Sequence, residues 1–323
     1  MEKRRLGRSN LEISVLTMGC WQAGKAQWTG VTDEDSVAAL RAAYDSGINF
    51  FDTAEAYGKG HSEEIVAQAI GDVRDNVYIA TKVAAHNLAA DRLRSSCESS
   101  LKRLGTDHID LYQLHWPAGT WGSPLIPIEE SMGEMVKLQE EGKIRAIGVS
   151  NFNGDQIEEA LQYGRIDSLQ PPYSLFWRQY EFNDTFAVCQ QHEIGVIAYS
   201  SLAQGLLTGK FSQDHKPGED DNRSGNTLFK GQNFAHALSA IEDLKPIAAK
   251  YGVSTGQLAL QWTVSQPGLT SAIVGARNSE QVQDNAKAGS FTINPDDLAA
   301  IDAIGRSVTD SLSISKTNMW TAD

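Results

Sequence analysis

The sequence is short of cysteine: only Cys20, Cys97 and Cys189 occur in 323 residues, far apart, with no CxxC pair and no histidine at ligand spacing. That scarcity speaks against a disulfide framework and against a zinc or other metal site, and it fits a reduced, cytoplasmic setting. Long apolar runs are missing too. Nothing approaches the roughly 18 unbroken apolar residues of a membrane span. The charged start Met1-Glu2-Lys3-Arg4-Arg5 leads into Leu6-Gly7-Arg8-Ser9-Asn10, not into a secretory apolar core. Positive charge is in deficit: 28 Lys and Arg against 41 Asp and Glu give a formal charge of −13. Such a surface repels a phosphate backbone, and no basic run concentrates a compensating field, so no nucleic-acid partner is expected. With 41% hydrophobic residues and only 9 prolines the chain can fill a large core. No linker or low-complexity stretch divides it, so residues 1–323 are expected to form one domain.

What the sequence does contain is a recurring unit, a short apolar run followed by an amphipathic segment. The runs are residues 15–18, 48–51, 77–80, 109–114, 144–149, 168–170, 194–198 and 271–274. The amphipathic segments are 34–45, 63–70, 91–104, 128–140, 156–163, 182–191, 255–264 and 280–286. Ser62 stands where an N-cap would begin the second helix, ahead of Glu63 and Glu64, and Gly47 and Gly142 stand where the first and fourth would stop. Eight β-then-α units predict an α/β fold, a (β/α)₈ TIM barrel, because parallel strands need covered faces and right-handed crossovers. A doubly wound sheet would want a GxGxxG turn after the first strand, and Gly19-Cys20-Trp21-Gln22-Ala23-Gly24 is not one. Residues 1–14 read as a β-hairpin turning at 7–10 and plugging the barrel bottom. About seventy residues separate the last two runs, room for a long loop and an extra helix near 238–251. A further helix is expected near 295–304.

In such a barrel the loops after the strands build the active site. Asp52 ends the second run, with Tyr57 five residues on; Lys82 follows the third and His115 the fourth. Ser150 and Asn151 follow the fifth, Gln170 ends the sixth, Tyr199 follows the seventh, and Gly275 and Arg277 follow the eighth. Taken singly, each of these reads as a structural residue or a solvated charge. Asp, Tyr, Lys and His on neighbouring strands at one end do not. A lysine ammonium beside a phenol lowers its pKa from about 10, and a semi-buried lysine needs a counter-ion, which Asp52 supplies. With His115 hydrogen-bonding the same atom, the group can protonate an oxygen that gains negative charge, such as a carbonyl under hydride attack. No side chain supplies hydride, so a reduced nicotinamide is required.

The stretch Gly47-Ile48-Asn49-Phe50-Phe51-Asp52-Thr53-Ala54-Glu55-Ala56-Tyr57-Gly58 resembles the signature of the aldo-keto reductases. Ala80-Thr81-Lys82, Asp110-Leu111-Tyr112-Gln113-Leu114-His115-Trp116-Pro117 and Ile147-Gly148-Val149-Ser150-Asn151-Phe152 follow in family order. So do Gln170-Pro171-Pro172-Tyr173-Ser174 and the segment from Tyr199 to Lys210. The resemblance spans nearly the whole chain and is to the bacterial general-stress and inositol-cluster type. It implies an NADPH-dependent reduction of aldehydes or ketones, a small-molecule carbonyl substrate, and roles by position. Tyr57 would be the general acid, Lys82 and Asp52 its tuners, and His115 the residue that orients the carbonyl. Ser150, Asn151 and Gln170 would bind the nicotinamide carboxamide, and Tyr199 would stack on the ring. Ser200, Leu202, Gln204, Gly205, Leu206 and Lys210 would form the pyrophosphate loop, with Gly19 and Trp21 near the nicotinamide ribose. Gly275, Arg277, Gln281 and Asn285 would hold the adenosine end. Asp284 stands where related proteins often carry Glu.

Arg277, just before a helix start, can grip the extra phosphate of NADPH with two parallel bonds, and Arg223 in the long loop can close over the same end. Substrate is expected against Trp21, Tyr57, His115 and Trp116, with Trp28, Trp121 and the tail around Met319-Trp320 at the pocket mouth. Gly58-Lys59-Gly60 reads as a plain glycine turn, and Glu219-Asp220-Asp221 as a solvated loop. Two other functions fit some of these residues. A lyase could use Lys82 as a Schiff base, but Asp52 should hold that lysine charged. A non-catalytic NADPH-binding regulatory subunit, like the potassium-channel β subunits, would share barrel and tetrad. The sequence leaves oligomeric state open.

Overall fold

The computed structural model describes residues 1–25, 30–218 and 221–312. Trp28, Glu219, Asp220, Met319 and Trp320 lie outside them. Strands β1 (Lys3–Arg5) and β2 (Glu12–Ser14) pair antiparallel. Then come β3 (Leu16–Gly19), β4 (Phe50–Asp52), β5 (Tyr78–Val83), β6 (Ile109–Leu114), β7 (Ile144–Ser150), β8 (Ser168–Gln170), β9 (Gly195–Ala198) and β10 (Leu269–Gly275). These eight close into a parallel barrel in the order β3 to β10, with β10 back against β3. Helices α1 (Asp33–Asp45), α2 (His61–Ile70), α3 (Ala90–Leu104), α4 (Ile128–Glu140), α5 (Gly154–Ala160), α6 (Gln179–Phe182) and α7 (Thr185–Gln191) surround it. So do α8 (Gly231–Lys250), α9 (Thr255–Val264), α10 (Ser279–Ala286) and α11 (Pro295–Ser311). This is the (β/α)₈ barrel that the eight repeats predict. Among the described residues no helix is long and apolar enough to cross a membrane, and no group of three or more His, Cys, Asp or Glu is placed to hold a metal.

Three local expectations are corrected. Ser62 does not cap α2: Gly60 does, at φ 94°, and the Ser62 hydroxyl is buried, donating to the Cys20 carbonyl at 2.7 Å and accepting from Thr53 at 2.8 Å. The sixth helix is two pieces, broken at Asp184 with φ 59°. The helix expected near 238–251 begins two turns earlier, at Gly231.

The alternation of β-strand side chains sorts the barrel interior into layers. Phe50, Ala80, Leu111, Ala146, Ile197 and Ile273 form an inner apolar cluster with Leu6, Leu11 and Ile13 of the hairpin. The hairpin therefore plugs the barrel at the N-terminal ends of the strands, as its sequence suggests. Two residues further along each strand the same face carries Asp52, Lys82, Gln113, Gly148, Tyr199 and Gly275, with Gln170 at the end of β8. A period of two thus lifts a polar layer directly above the apolar one, at the C-terminal mouth.

Candidate active site

The mouth opens into a cavity of about 820 Å³. Asp52 and Lys82 meet inside the barrel wall. The Lys82 ammonium, with no exposure, donates to Asp52 Oδ2 at 2.6 Å, to the Thr53 carbonyl at 2.7 Å and to the Tyr57 hydroxyl at 3.3 Å. Tyr57 reaches this point because the loop after β4 is pressed against the loop after β3. A Cβ on Gly24 would stand 2.6 Å from the Tyr57 carbonyl carbon, and one on Gly58 would run into the Gly24 backbone. The turn Gly58-Lys59-Gly60 is left-handed at all three residues, at φ 62°, 57° and 94°. The glycines that read as a plain turn in the sequence thus set the height of the phenol.

His115 stands edge-on to Tyr57, ring centroids 5.8 Å apart, and Trp21 stacks on the other side at 6.1 Å. Trp116 continues the row from His115 at 6.4 Å, and Trp121 packs edge-on against Trp116 at 5.6 Å, half-exposed at the rim. Burial and then the nearby Lys82 charge hold the His115 imidazole well below its usual range, so it is neutral. For Tyr57 the balance differs from the sequence expectation. Burial raises the phenol, the Lys82 ammonium pulls it back only in part, and the net direction is up. Burial also opposes the Lys82 charge, but Asp52 and the phenol outweigh it, and the lysine titrates above its ordinary value. That supports a held charge and disfavours a neutral Schiff-base nucleophile.

Opposite this corner, the Ser150 hydroxyl donates to the Gln170 carbonyl at 2.7 Å. Asn151, strained at φ 64°, gives its amide hydrogens to the His115 carbonyl and the Ser150 hydroxyl, both at 3.0 Å, and accepts from the Tyr199 hydroxyl at 2.8 Å. Gln170 donates to Asp52 Oδ1 at 2.7 Å. Gly19, Trp21, Asp52, Tyr57, His115, Trp116, Ser150, Asn151, Gln170 and Tyr199 all line this end. Lys82 lies behind them in the wall.

From there the cavity runs along the loop after β9. Ser200, Gln204 and Gly205 adopt left-handed backbone, at φ 55°, 56° and 91°, and line the groove with Leu202 and Lys210. Leu206 does not: it is fully buried in the core, where the turn sends it inward. Arg223 lies over Phe211, guanidinium to ring 5.3 Å, while bonded to Asp221. The far end is lined by Gly275, Arg277, Gln281 and Asn285, with Asp284 engaged by Gln257 at 2.8 Å. Asn278 caps α10 by accepting from Gln281, whose own amide oxygen accepts the Arg277 backbone N–H at 2.9 Å.

Several lining residues escaped the sequence reading. Gln22 packs its amide against Gly275, where a Cβ would collide with it. Its Oε1, with Gln204 Nε2 and Asn222 Nδ2, is buried without a hydrogen-bond partner among the described residues. Phe211 and Ser254 also line the groove. Polar side chains scattered through loops carry no periodic signal, and only the folded backbone gathers them. Buried donors and acceptors left open along one groove are what a polar, extended ligand needs. A dinucleotide fits, with aromatic residues at one end and a helix start with an arginine at the other.

Residues 15–306 match the Aldo/keto reductase family. The chain is 38% identical over 315 residues to "Aldo-keto reductase YhdN" of Bacillus subtilis, covering 94% of this chain and 93% of that one. It is 34% identical over 319 residues to the "NADH-specific methylglyoxal reductase" of Escherichia coli, covering 92% and 96%. Among solved structures, an aldo/keto reductase from Klebsiella pneumoniae in complex with NADP and acetate superposes with a TM-score of 0.75, at 32% identity and 99% coverage of both chains. With family match, relatives, barrel and mouth in agreement, the chain belongs to the aldo/keto reductase family.

Proposed function

We propose that the protein reduces aldehydes or ketones to alcohols with NADPH, using Tyr57 as the acid. The observation that carries this reading is the Asp52–Lys82–Tyr57 chain, with a neutral His115 beside the phenol. Ser150, Asn151 and Gln170 would hold a reduced nicotinamide, which would supply hydride to a carbonyl carbon. The chain's own residues do the rest. His115, neutral, donates a hydrogen bond to the carbonyl oxygen and holds it beside the phenol. Negative charge growing on that oxygen takes the Tyr57 proton, and the Lys82 ammonium stabilises the phenolate left behind. Asp52 keeps the ammonium in place, and the row Trp21, Tyr57, His115, Trp116 keeps water from competing. Arg277, Lys210 and Arg223 bind the phosphates.

The test is Tyr57→Phe, assayed by NADPH oxidation over a panel of aldehydes, ketones and sugars, and by equilibrium NADPH titration. Turnover should fall by at least about 10²-fold, the lower range of a positioned acid, while NADPH affinity stays within about threefold. Near-normal turnover would remove Tyr57 as the acid, and a wild type that binds NADPH without turnover would favour a regulatory binding subunit.

A further inference from the structure

Gln113 has no part in the chemistry above, yet it is a fully buried polar side chain inside the barrel. It sits in β6 between Lys82 of β5 and Gly148 of β7 in register. Gly148 makes its room: a Cβ there would stand 2.8 Å from Gln113 Cγ and collide with the Ser168 hydroxyl. A glutamine in so confined a place has a task for both ends of its amide. Its Nε2 donates to Asp52 Oδ1 at 3.4 Å, and its Oε1 accepts from Gln170 Nε2, also at 3.4 Å.

The donor count then constrains Gln170. Its Nε2 has two hydrogens and no acceptor capacity. One goes to Asp52 Oδ1 at 2.7 Å and the other toward Gln113 Oε1. Both donors are therefore directed into the wall, and the amide oxygen is the atom left for the cavity that Gln170 lines. Turning the amide over would set that oxygen against the Asp52 carboxylate and against Gln113 Oε1, two acceptors facing an acceptor.

We propose that Gln113 is a positioning residue that, with Asp52, fixes the Gln170 amide with its oxygen toward the cavity, so that this position accepts a hydrogen bond from an N–H of the cofactor's ring substituent. This rests on the nicotinamide reading above and deepens it. The same carboxylate that anchors Lys82 at one oxygen sets the polarity of cofactor recognition at the other. Acid and cofactor positions therefore share one anchor.

The test compares equilibrium binding of NADP⁺ with that of its 3-acetylpyridine analogue, which keeps the carbonyl but has no N–H to give. 2′-Phospho-ADP-ribose, which lacks the ring, serves as the control. Wild type should prefer NADP⁺ over the analogue by about 3- to 10-fold, the range of one neutral hydrogen bond. Gln113→Met, similar in volume but without hydrogen bonds, should bring that ratio to within about twofold while 2′-phospho-ADP-ribose binds as before. Gln113→Glu should restore the ratio. Beside Asp52 the introduced carboxyl stays protonated, and its O–H and carbonyl oxygen reproduce the donor and acceptor of the glutamine. A residue that merely fills space would be replaced better by methionine than by glutamate. A wild-type ratio in Gln113→Met, or no discrimination in wild type, would overturn the assignment. Should Gln113→Met fail to fold, loss of the preference in a folded Gln113→Glu would overturn it in the same way. Wild type binding 2′-phospho-ADP-ribose but neither dinucleotide would overturn the nicotinamide reading itself.

Discussion

Lys82→Met separates what the lysine does for the fold from what it does for the reaction. The ammonium is fully buried and makes three short contacts, to Asp52, the Thr53 carbonyl and Tyr57. Methionine fills a similar volume, so the cavity cost is small and electrostatics dominate. Removing one member of a buried ion pair costs about 3–5 kcal/mol, because the other charge is stranded. Here Asp52 keeps the Gln170 donor at 2.7 Å, so the lower end, about 3 kcal/mol, is expected in urea unfolding. The catalytic loss comes from another contact. A unit charge 3.3 Å from a developing phenolate is worth about 5 kcal/mol at an effective dielectric constant near 20. With roughly half to all of that felt in the transition state, kcat/KM should fall by about 10² to 10³-fold or more. The double variant Lys82→Met with Asp52→Asn removes the stranded carboxylate and should regain about 1–2 kcal/mol of stability without regaining turnover. If turnover returned with stability, the lysine would be only a structural support. A loss under tenfold in the single variant would refute the electrostatic argument.

The Escherichia coli relative carries the name of an NADH-specific enzyme, so cofactor choice is tested at Arg277, which we propose holds the extra phosphate of NADPH. Arg277→Ala should weaken NADPH by about ten- to a hundredfold, the range of a charge-assisted contact, and NADH far less; fluorescence titration of both nucleotides checks this, and equal losses would take Arg277 out of the phosphate site. His115 supplies a pH prediction. Its native pKa is depressed by burial and Lys82, so below about pH 6.5 the unfolded chain gains a proton that the native chain refuses, and stability falls with falling pH. Relative to His115→Gln, the wild type should lose as much as about 2 kcal/mol between pH 7 and pH 5, less to the extent that cavity water reaches the ring; urea midpoints at the two pH values decide it, and parallel curves would mean that the ring protonates freely in the native state.

The barrel was legible in the sequence because its signal is repeated. Eight apolar runs, each followed by a helix-period segment, admit few architectures, and the residue ending each run has only one face of the barrel to occupy. The sequence alone thus places Asp52, Lys82 and Tyr57 together. Ser62 is the opposite case: a serine before two glutamates is a common helix start, and nothing local tells that Gly60 takes the left-handed cap while the hydroxyl is needed by Thr53 and the Cys20 carbonyl. The direction of the Tyr57 shift was equally hidden, since a neighbouring cation is visible in a motif but the depth of burial that outweighs it is not. Gln113 shows the limit most clearly. Within Asp110-Leu111-Tyr112-Gln113-Leu114-His115 nothing local sets it apart from its neighbours. Only the closed barrel brings Asp52, 61 positions earlier, and Gln170, 57 positions later, against the two ends of its amide. A glycine at 148 is then the sequence's own trace of that contact, because any larger residue in β7 would push Gln113 away from both.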